Sequence, residues 1–125
     1  MFEKYLIVED SLRNTQHGFS FDARLGYYRG LGLSMIEELA VTIDGREVPR
    51  AAIRFDEGKG PLRLSEMETA YDRRWGFGEI ATIHVDWPER LAPGPHQLTL
   101  TERLRVSYMP FPSIRRDEKE LLVAA

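Results

Sequence analysis

Residues 97–108 read Gln97-Leu98-Thr99-Leu100-Thr101-Glu102-Arg103-Leu104-Arg105-Val106-Ser107-Tyr108, and they carry the clearest periodicity in the chain. The leucines, the valine and the tyrosine fall on alternate positions, with polar or charged residues between them. Because successive side chains of a strand point to opposite faces, this spacing predicts a strand with one buried face and one solvated or interfacial face. Glu102 interrupts the apolar face, and a carboxylate buried there needs a partner.

The same period of two recurs along the rest of the chain. It predicts strands at 5–9, 18–25, 35–43, 51–55 and 79–87, with turns at Asp44-Gly45 and Pro93-Gly94-Pro95. Ser65 and Glu68 have capping-box spacing, which predicts one short helix over 66–72. Seven or eight strands with one helix predict an all-β fold, an antiparallel jelly-roll-like sandwich, as a single domain over residues 1–125. The mixed charges of 115–120 predict a solvated end.

Composition excludes several classes of protein. The 125 residues carry 17 Lys and Arg against 20 Asp and Glu, so the basic face that nucleic acid requires is not expected. There is no cysteine, which removes disulfides, thiolate metal sites and a cysteine nucleophile. The first apolar run is too short for a signal peptide, and no stretch is long enough to span a membrane. A cytoplasmic protein is expected.

The sequence offers no established catalytic pattern. It contains no nucleophile elbow, phosphate loop or dinucleotide fingerprint, and His17, His84 and His96 do not have metal-ligand spacing. His84 and Asp86 share a strand face, so a His–Asp pair or a metal site stays open, although a metal needs further ligands. Glu37 and Glu102 lie in otherwise apolar faces, where an acid–base role competes with a buried structural hydrogen bond. We assign no catalytic and no metal-binding residue to this chain.

Aromatic residues cluster in segments rich in glycine or proline. Gly26, Gly30 and Gly32 surround Tyr27-Tyr28-Arg29, which indicates either structural turns or a binding loop. Interface hot spots favour tryptophan, tyrosine, arginine and methionine. The predicted partner interface therefore comprises Arg24, Tyr27, Tyr28, Arg29, Trp75, Phe77, Tyr108 and Met109.

Several segments in one order resemble the small (β) subunit of bacterial C-glycoside deglycosidases. They are Arg24-Leu25-Gly26-Tyr27-Tyr28-Arg29-Gly30-Leu31-Gly32-Leu33-Ser34-Met35-Ile36-Glu37-Glu38, Asp44-Gly45, Ile53-Arg54-Phe55, the Trp75 region, Leu91-Ala92-Pro93-Gly94-Pro95-His96 and Arg105-Val106-Ser107-Tyr108-Met109-Pro110. Together they cover nearly the whole chain. Gly26 departs from the family, in which proline is common at this position.

The resemblance implies a non-catalytic subunit without a cofactor of its own. Its partner would be a TIM-barrel large (α) subunit that holds a divalent metal, usually manganese, within a larger hetero-oligomer. That subunit would cleave the carbon–carbon bond between a 3-oxo sugar and an aromatic aglycone, by proton abstraction and elimination. The alternatives are a stand-alone sugar-binding or cupin-like metal-binding module, drawing on His84 and Asp86, and a purely structural β domain.

Overall fold

The described part of the chain, in a computed structural model, comprises residues 5–27, 29–106 and 109–123. It contains eleven strands, one helix of a single turn, α1 (Leu64–Met67), and 3-10 turns at Leu33–Met35 and Arg50–Ala52. The strands are β1 (Arg13–Asn14), β2 (Gly18–Arg24), β3 (Leu31–Gly32), β4 (Ile36–Ile43), β5 (Arg46–Glu47), β6 (Ile53–Asp56), β7 (Leu62–Arg63), β8 (Arg74–Trp75), β9 (Ile80–Asp86), β10 (Gly94–Leu104) and β11 (Ser113–Val123). The all-β prediction with one short helix is confirmed.

Two antiparallel sheets form the sandwich. One has the order β1-β2-β9-β6-β7 and the other the order β11-β10-β4-β5, while β3 and β8 form a separate ribbon. The core lies between the sheets, because alternate side chains of the long strands are buried: Phe19, Phe21 and Ile83 from the first sheet, Leu98, Leu100 and Val41 from the second. The predicted strands at 18–25, 35–43 and 79–87 are present as β2, β4 and β9.

The prediction for 5–9 is wrong in part. Ile7 makes only an isolated bridge to Ala23, flanked by the hydrogen bonds from Arg24 N to Leu6 O and from Val8 N to Asp22 O. The amide of Ile7 instead donates to Asp117 Oδ2 at 2.8 Å. The segment therefore lies along β2 and reaches across to the second sheet.

The prediction of a solvated end at 115–120 is also wrong. These residues lie in β11, which pairs with β10 from Gly94↔Val123 to Leu104↔Ser113. Asp117 is buried because its carboxylate accepts the amide proton of Ile7 and contacts Lys119 Nζ at 2.7 Å. A charged run can thus form an edge strand when its inward side chains find partners.

The remaining elements differ in their bounds. The helix is shorter and begins earlier than predicted, and its first turn is capped by Glu66, whose carboxylate accepts from Arg63 N at 2.8 Å. Asp44 and Gly45 both have positive φ, 49° and 80°, as a tight hairpin between β4 and β5 requires. The predicted turn at 93–95 is only partly right, because β10 already begins at Gly94.

Candidate partner-binding surface

The structure brings together two segments that lie far apart in the sequence. Leu31 pairs with Trp75 and Gly32 with Arg74, so the loop after β2 and the segment around Trp75 form one ribbon. Gly30 lets the two segments approach each other, because a Cβ at this position would lie only 3.2 Å from the carbonyl oxygen of Trp75. Both segments belong to the predicted interface, and their association is a finding of the structure.

Gly26 is held between β10 and β11. Its N–H donates to Glu102 Oε1 at 2.7 Å, and its carbonyl oxygen accepts from Arg115 Nε at 3.1 Å. A Cβ at this position would lie 2.8 Å from Arg115 Cβ and Cγ, so the site has room only for glycine. Proline would also lack the N–H that Glu102 uses. The buried Glu102 therefore has the partner that its place on an apolar face requires.

Two members of the predicted interface lie in the core. Trp75 is fully buried, with its ring edge-on to Phe55 at 4.9 Å between centroids and its Nε1 donating to Glu79 O at 2.9 Å. Tyr27 is buried as well. Because the side chains of both residues are buried, they have almost no accessible area for a partner to contact. They instead anchor the two loops to the core.

Exposed apolar side chains flank the same loops. Phe77 is 62% exposed, and it lines a cavity of about 390 Å³ with Tyr5, Arg24, Leu25 and Gly78. Ile80, also exposed, pairs with Arg24 across the sheet. We call the side chains of Tyr5, Arg24, Phe77 and Ile80 the aromatic loop surface. An exposed apolar patch around a guanidinium is typical of a protein interface.

Sequence reasoning missed Tyr5 and Ile80. Ile80 had a usable signal, because it shares the outer face of β9 with Thr82, His84 and Asp86 and is the apolar exception there. Tyr5 had none, since the predicted strand at 5–9 gave no reason to place it beside Arg24.

The other predicted interface residues differ in their exposure to solvent. Arg29 is exposed one position before Gly30, and Met109 is half-buried against the core. Tyr28 and Tyr108 lie outside the described residues. Their contact with a partner stays a prediction.

Comparison with known proteins identifies the family of the chain. The sequence profile of the C-glycoside deglycosidase beta subunit family matches residues 2–108. The chain belongs to this family.

Curated relatives of this β subunit are also named as deglycosidase beta subunits. The 3'-dehydrocarminate deglycosidase beta subunit of Microbacterium sp is 36% identical over 110 residues, covering 88% of this chain and 83% of the relative. The C-glycoside deglycosidase beta subunit of Eubacterium cellulosolvens is 30% identical over 114 residues, covering 86% of this chain and 78% of the relative. A subunit name of this kind implies an enzyme complex with at least one further subunit.

The candidate chemical residues of the β subunit are engaged in ordinary surface or structural contacts. Asp86 Oδ1 accepts from Arg54 Nη2 at 2.6 Å, which ties up the carboxylate beside His84. The expectation that Glu37 lies in an apolar environment is wrong. Its carboxylate is partly exposed and pairs with Arg103 Nε at 3.1 Å. Across 5–27, 29–106 and 109–123, no three His, Asp or Glu side chains are arranged to hold a metal ion.

Within those same ranges, no helix of the β subunit has the length and apolar character needed to cross a bilayer.

Proposed function

We propose that this β subunit is the non-catalytic member of a C-glycoside deglycosidase, a carbon–carbon lyase, and that it docks through the aromatic loop surface on a TIM-barrel large subunit. The observation that carries the proposal is the exposed apolar patch that Tyr5, Phe77 and Ile80 form around Arg24 in a chain of this family. TIM-barrel active sites open at the face built by the βα loops. A small subunit that supports activity is best placed beside that face.

The reaction in this proposal is elimination from a 3-oxo C-glycoside with an aromatic aglycone. A base in the large subunit removes the C2 proton, which the neighbouring ketone acidifies, and the aglycone leaves as the bond to the sugar breaks. The divalent metal, manganese, supplies Lewis-acid stabilisation of the negative charge. We assign it to the large subunit because the described residues of this chain do not fit a metal site.

The role of this chain is then to bind and to shape the active-site face. Gly26, fixed by Glu102 and Arg115, sets the direction in which the loop leaves β2. Trp75 fixes the second loop from the core. A rigid surface of this kind loses little conformational entropy on docking, which favours a stable complex. The cysteine-free composition suits a reducing compartment, so the proposal includes a cytoplasmic location.

Reconstitution tests the proposal. The purified chain, its large subunit and the mixture of both are assayed for release of aglycone from a 3-oxo C-glycoside, and each is analysed for bound metal. We expect turnover and manganese to follow the large subunit, with activity rising when this chain is added. Robust turnover by this chain alone, or no effect of adding it, would overturn the proposal.

A further inference from the structure

Strand β11 forms one edge of its sheet over eleven residues. One side of the strand pairs with β10 along its whole length. In the described ranges, no backbone hydrogen bond from another segment reaches its other side. Ile7 N reaches the inward side chain of Asp117 at 2.8 Å. Further along the strand, the turn at Glu9 and Asp10 faces β11 across an open crevice of about 350 Å³ that extends from Lys119 to Leu122. Alternate residues of β11 therefore point N–H and C=O groups outward, which is a template for another strand.

The outer face of β11 has an ordered set of side chains. From start to end they are Ile114, Arg116, Glu118, Glu120 and Leu122. The two apolar residues at the ends are 49% and 63% exposed. On β10, the cross-strand neighbours of Glu118 and Glu120 are the uncharged Thr99 and Gln97.

We propose that two copies of this chain pair edge to edge through β11, antiparallel, about a two-fold axis at Glu118. In an antiparallel pair centred there, Ile114 lies opposite Leu122 of the second copy, and Arg116 lies opposite Glu120. Each pair occurs twice because of the symmetry. Directly opposite apolar and ion pairs are the side-chain contacts that stabilise antiparallel strands. The two sheets then continue across the axis as one.

We choose a second copy of this chain as the partner because the outward side chains of β11 complement the same side chains read in the opposite direction. An apolar residue stands at each end of the outer face, with Arg116 next to Ile114 and Glu120 next to Leu122. An identical antiparallel strand with the axis at Glu118 therefore sets apolar residues opposite apolar residues and cations opposite anions. A shift that places the axis at Lys119 sets Arg116 opposite Leu122 and Glu118 opposite Glu120. A shift that places it at Asp117 keeps an ion pair, Arg116 opposite Glu118, but sets the apolar Ile114 opposite Glu120. The axis at Glu118 also sets this residue opposite itself, and that like-charge contact weakens the pairing. The contact joins two small subunits, so it does not depend on the large subunit.

Charge reversal tests the pairing in the full-length chain. Sedimentation velocity over a concentration series gives the dimer dissociation constant for the wild type, Arg116→Glu, Arg116→Glu with Glu120→Arg, and Glu118→Gln. We expect the single reversal to raise the constant about tenfold or more, since two ion pairs become repulsive. The double reversal restores both pairs, and Glu118→Gln lowers the constant by removing the repulsion on the axis.

Arg50→Glu is the matched control, because it makes the same charge change at an exposed position outside β11. Circular dichroism confirms that each variant is folded, and Glu118→Gln remains informative if Arg116→Glu does not fold. A wild-type chain that stays monomeric up to its solubility limit overturns the proposal. So does a dissociation constant that is unchanged in the two single variants, or one that rises in Glu118→Gln.

Discussion

Two glutamates that look alike in the sequence have different surroundings. Glu102 is fully buried and accepts the amide proton of Gly26 at 2.7 Å, whereas Glu37 is partly exposed and pairs with Arg103. Period-two patterning correctly indicated that Glu102 needs a partner. It could not identify one, because Gly26 lies 76 positions away and contributes only a backbone group.

Replacing Glu102 by alanine should destabilise the fold. The change leaves the Gly26 amide without its acceptor, and a buried unsatisfied donor costs about 1–3 kcal/mol. Urea unfolding of Glu102→Ala measures the loss. Glu37→Ala is the control and should change stability by about 1 kcal/mol or less, because exposed ion pairs contribute little. Equal losses for the two variants would contradict the assignment of Glu102 to the Gly26 anchor.

His96 lies between two acceptors. Its Nδ1 is 2.6 Å from Asp44 Oδ2 and its Nε2 is 2.7 Å from Ala92 O, so only the doubly protonated ring can donate to both. The Ala92 carbonyl and the Asp44 carboxylate raise the pKa of His96 above 6.5, against the opposing effect of burial. Burial raises the pKa of Asp44, but the hydrogen bonds from His96 and the Gln97 amide outweigh it, and the net direction is down.

The free energy of unfolding should therefore fall as the pH rises through the pKa of His96. A raised folded-state pKa adds stability that is complete below the unfolded pKa of 6.5 and is lost as the pH rises through the folded value. Urea midpoints of the wild type and of His96→Gln, compared at about pH 6 and about pH 9, isolate this contribution. The wild type should lose more of its midpoint than the variant over this interval. Parallel changes in both proteins would show that His96 is not the group responsible.

At the scale of the element, β11 shows how a charged run can be structural. Its inward side chains include the buried Asp117, Leu121 and Val123. The sequence indicated a solvated end because six consecutive charges hide an alternation in which only some side chains face solvent. The long strands were predictable because hydrophobic alternation defines them. The two-residue strands β1, β3, β5, β7 and β8 were not, because pairing alone defines them.

Removing β11 should prevent folding. A chain that ends at residue 112 leaves the edge of β10 without its paired strand and deletes two buried apolar side chains, Leu121 and Val123, each worth about 1.5–3 kcal/mol on burial. Such a loss is comparable to the total stability of a small domain. Circular dichroism and solubility should show an unfolded or aggregated protein. A chain that ends at Val123 is the control, and a cooperative unfolding transition in the shorter chain would contradict the prediction.

At the scale of the whole molecule, the aromatic loop surface makes the docking proposal testable. Phe77→Ala and Arg24→Ala should each weaken binding of the large subunit while leaving the chain folded. Truncating a hot-spot anchor costs about 2 kcal/mol or more, which is about thirtyfold in affinity. Calorimetry with the large subunit measures the loss, and circular dichroism checks the fold.

Tyr71→Ala is the control for loss of an exposed aromatic ring, since Tyr71 is 75% exposed and does not line the cavity at Phe77. If Phe77→Ala and Arg24→Ala bind like the control, the large subunit docks elsewhere. The sequence predicted two of the four residues of this surface. Ile80 was detectable as the apolar exception on the outer face of β9, whereas Tyr5 becomes visible only when the sandwich places it beside Arg24.

The hydrogen bond from Ile7 N to Asp117 Oδ2 joins positions 110 residues apart. Synthesis on the ribosome proceeds from the N-terminus, so the amide of Ile7 has no acceptor until Asp117 has been made. Until then β10 lacks its neighbouring strand β11. The nascent chain thus cannot close its sandwich in stages, and its folding depends on contacts of long sequence separation, which form slowly. The fold of this subunit is completed only after β11 has been synthesised.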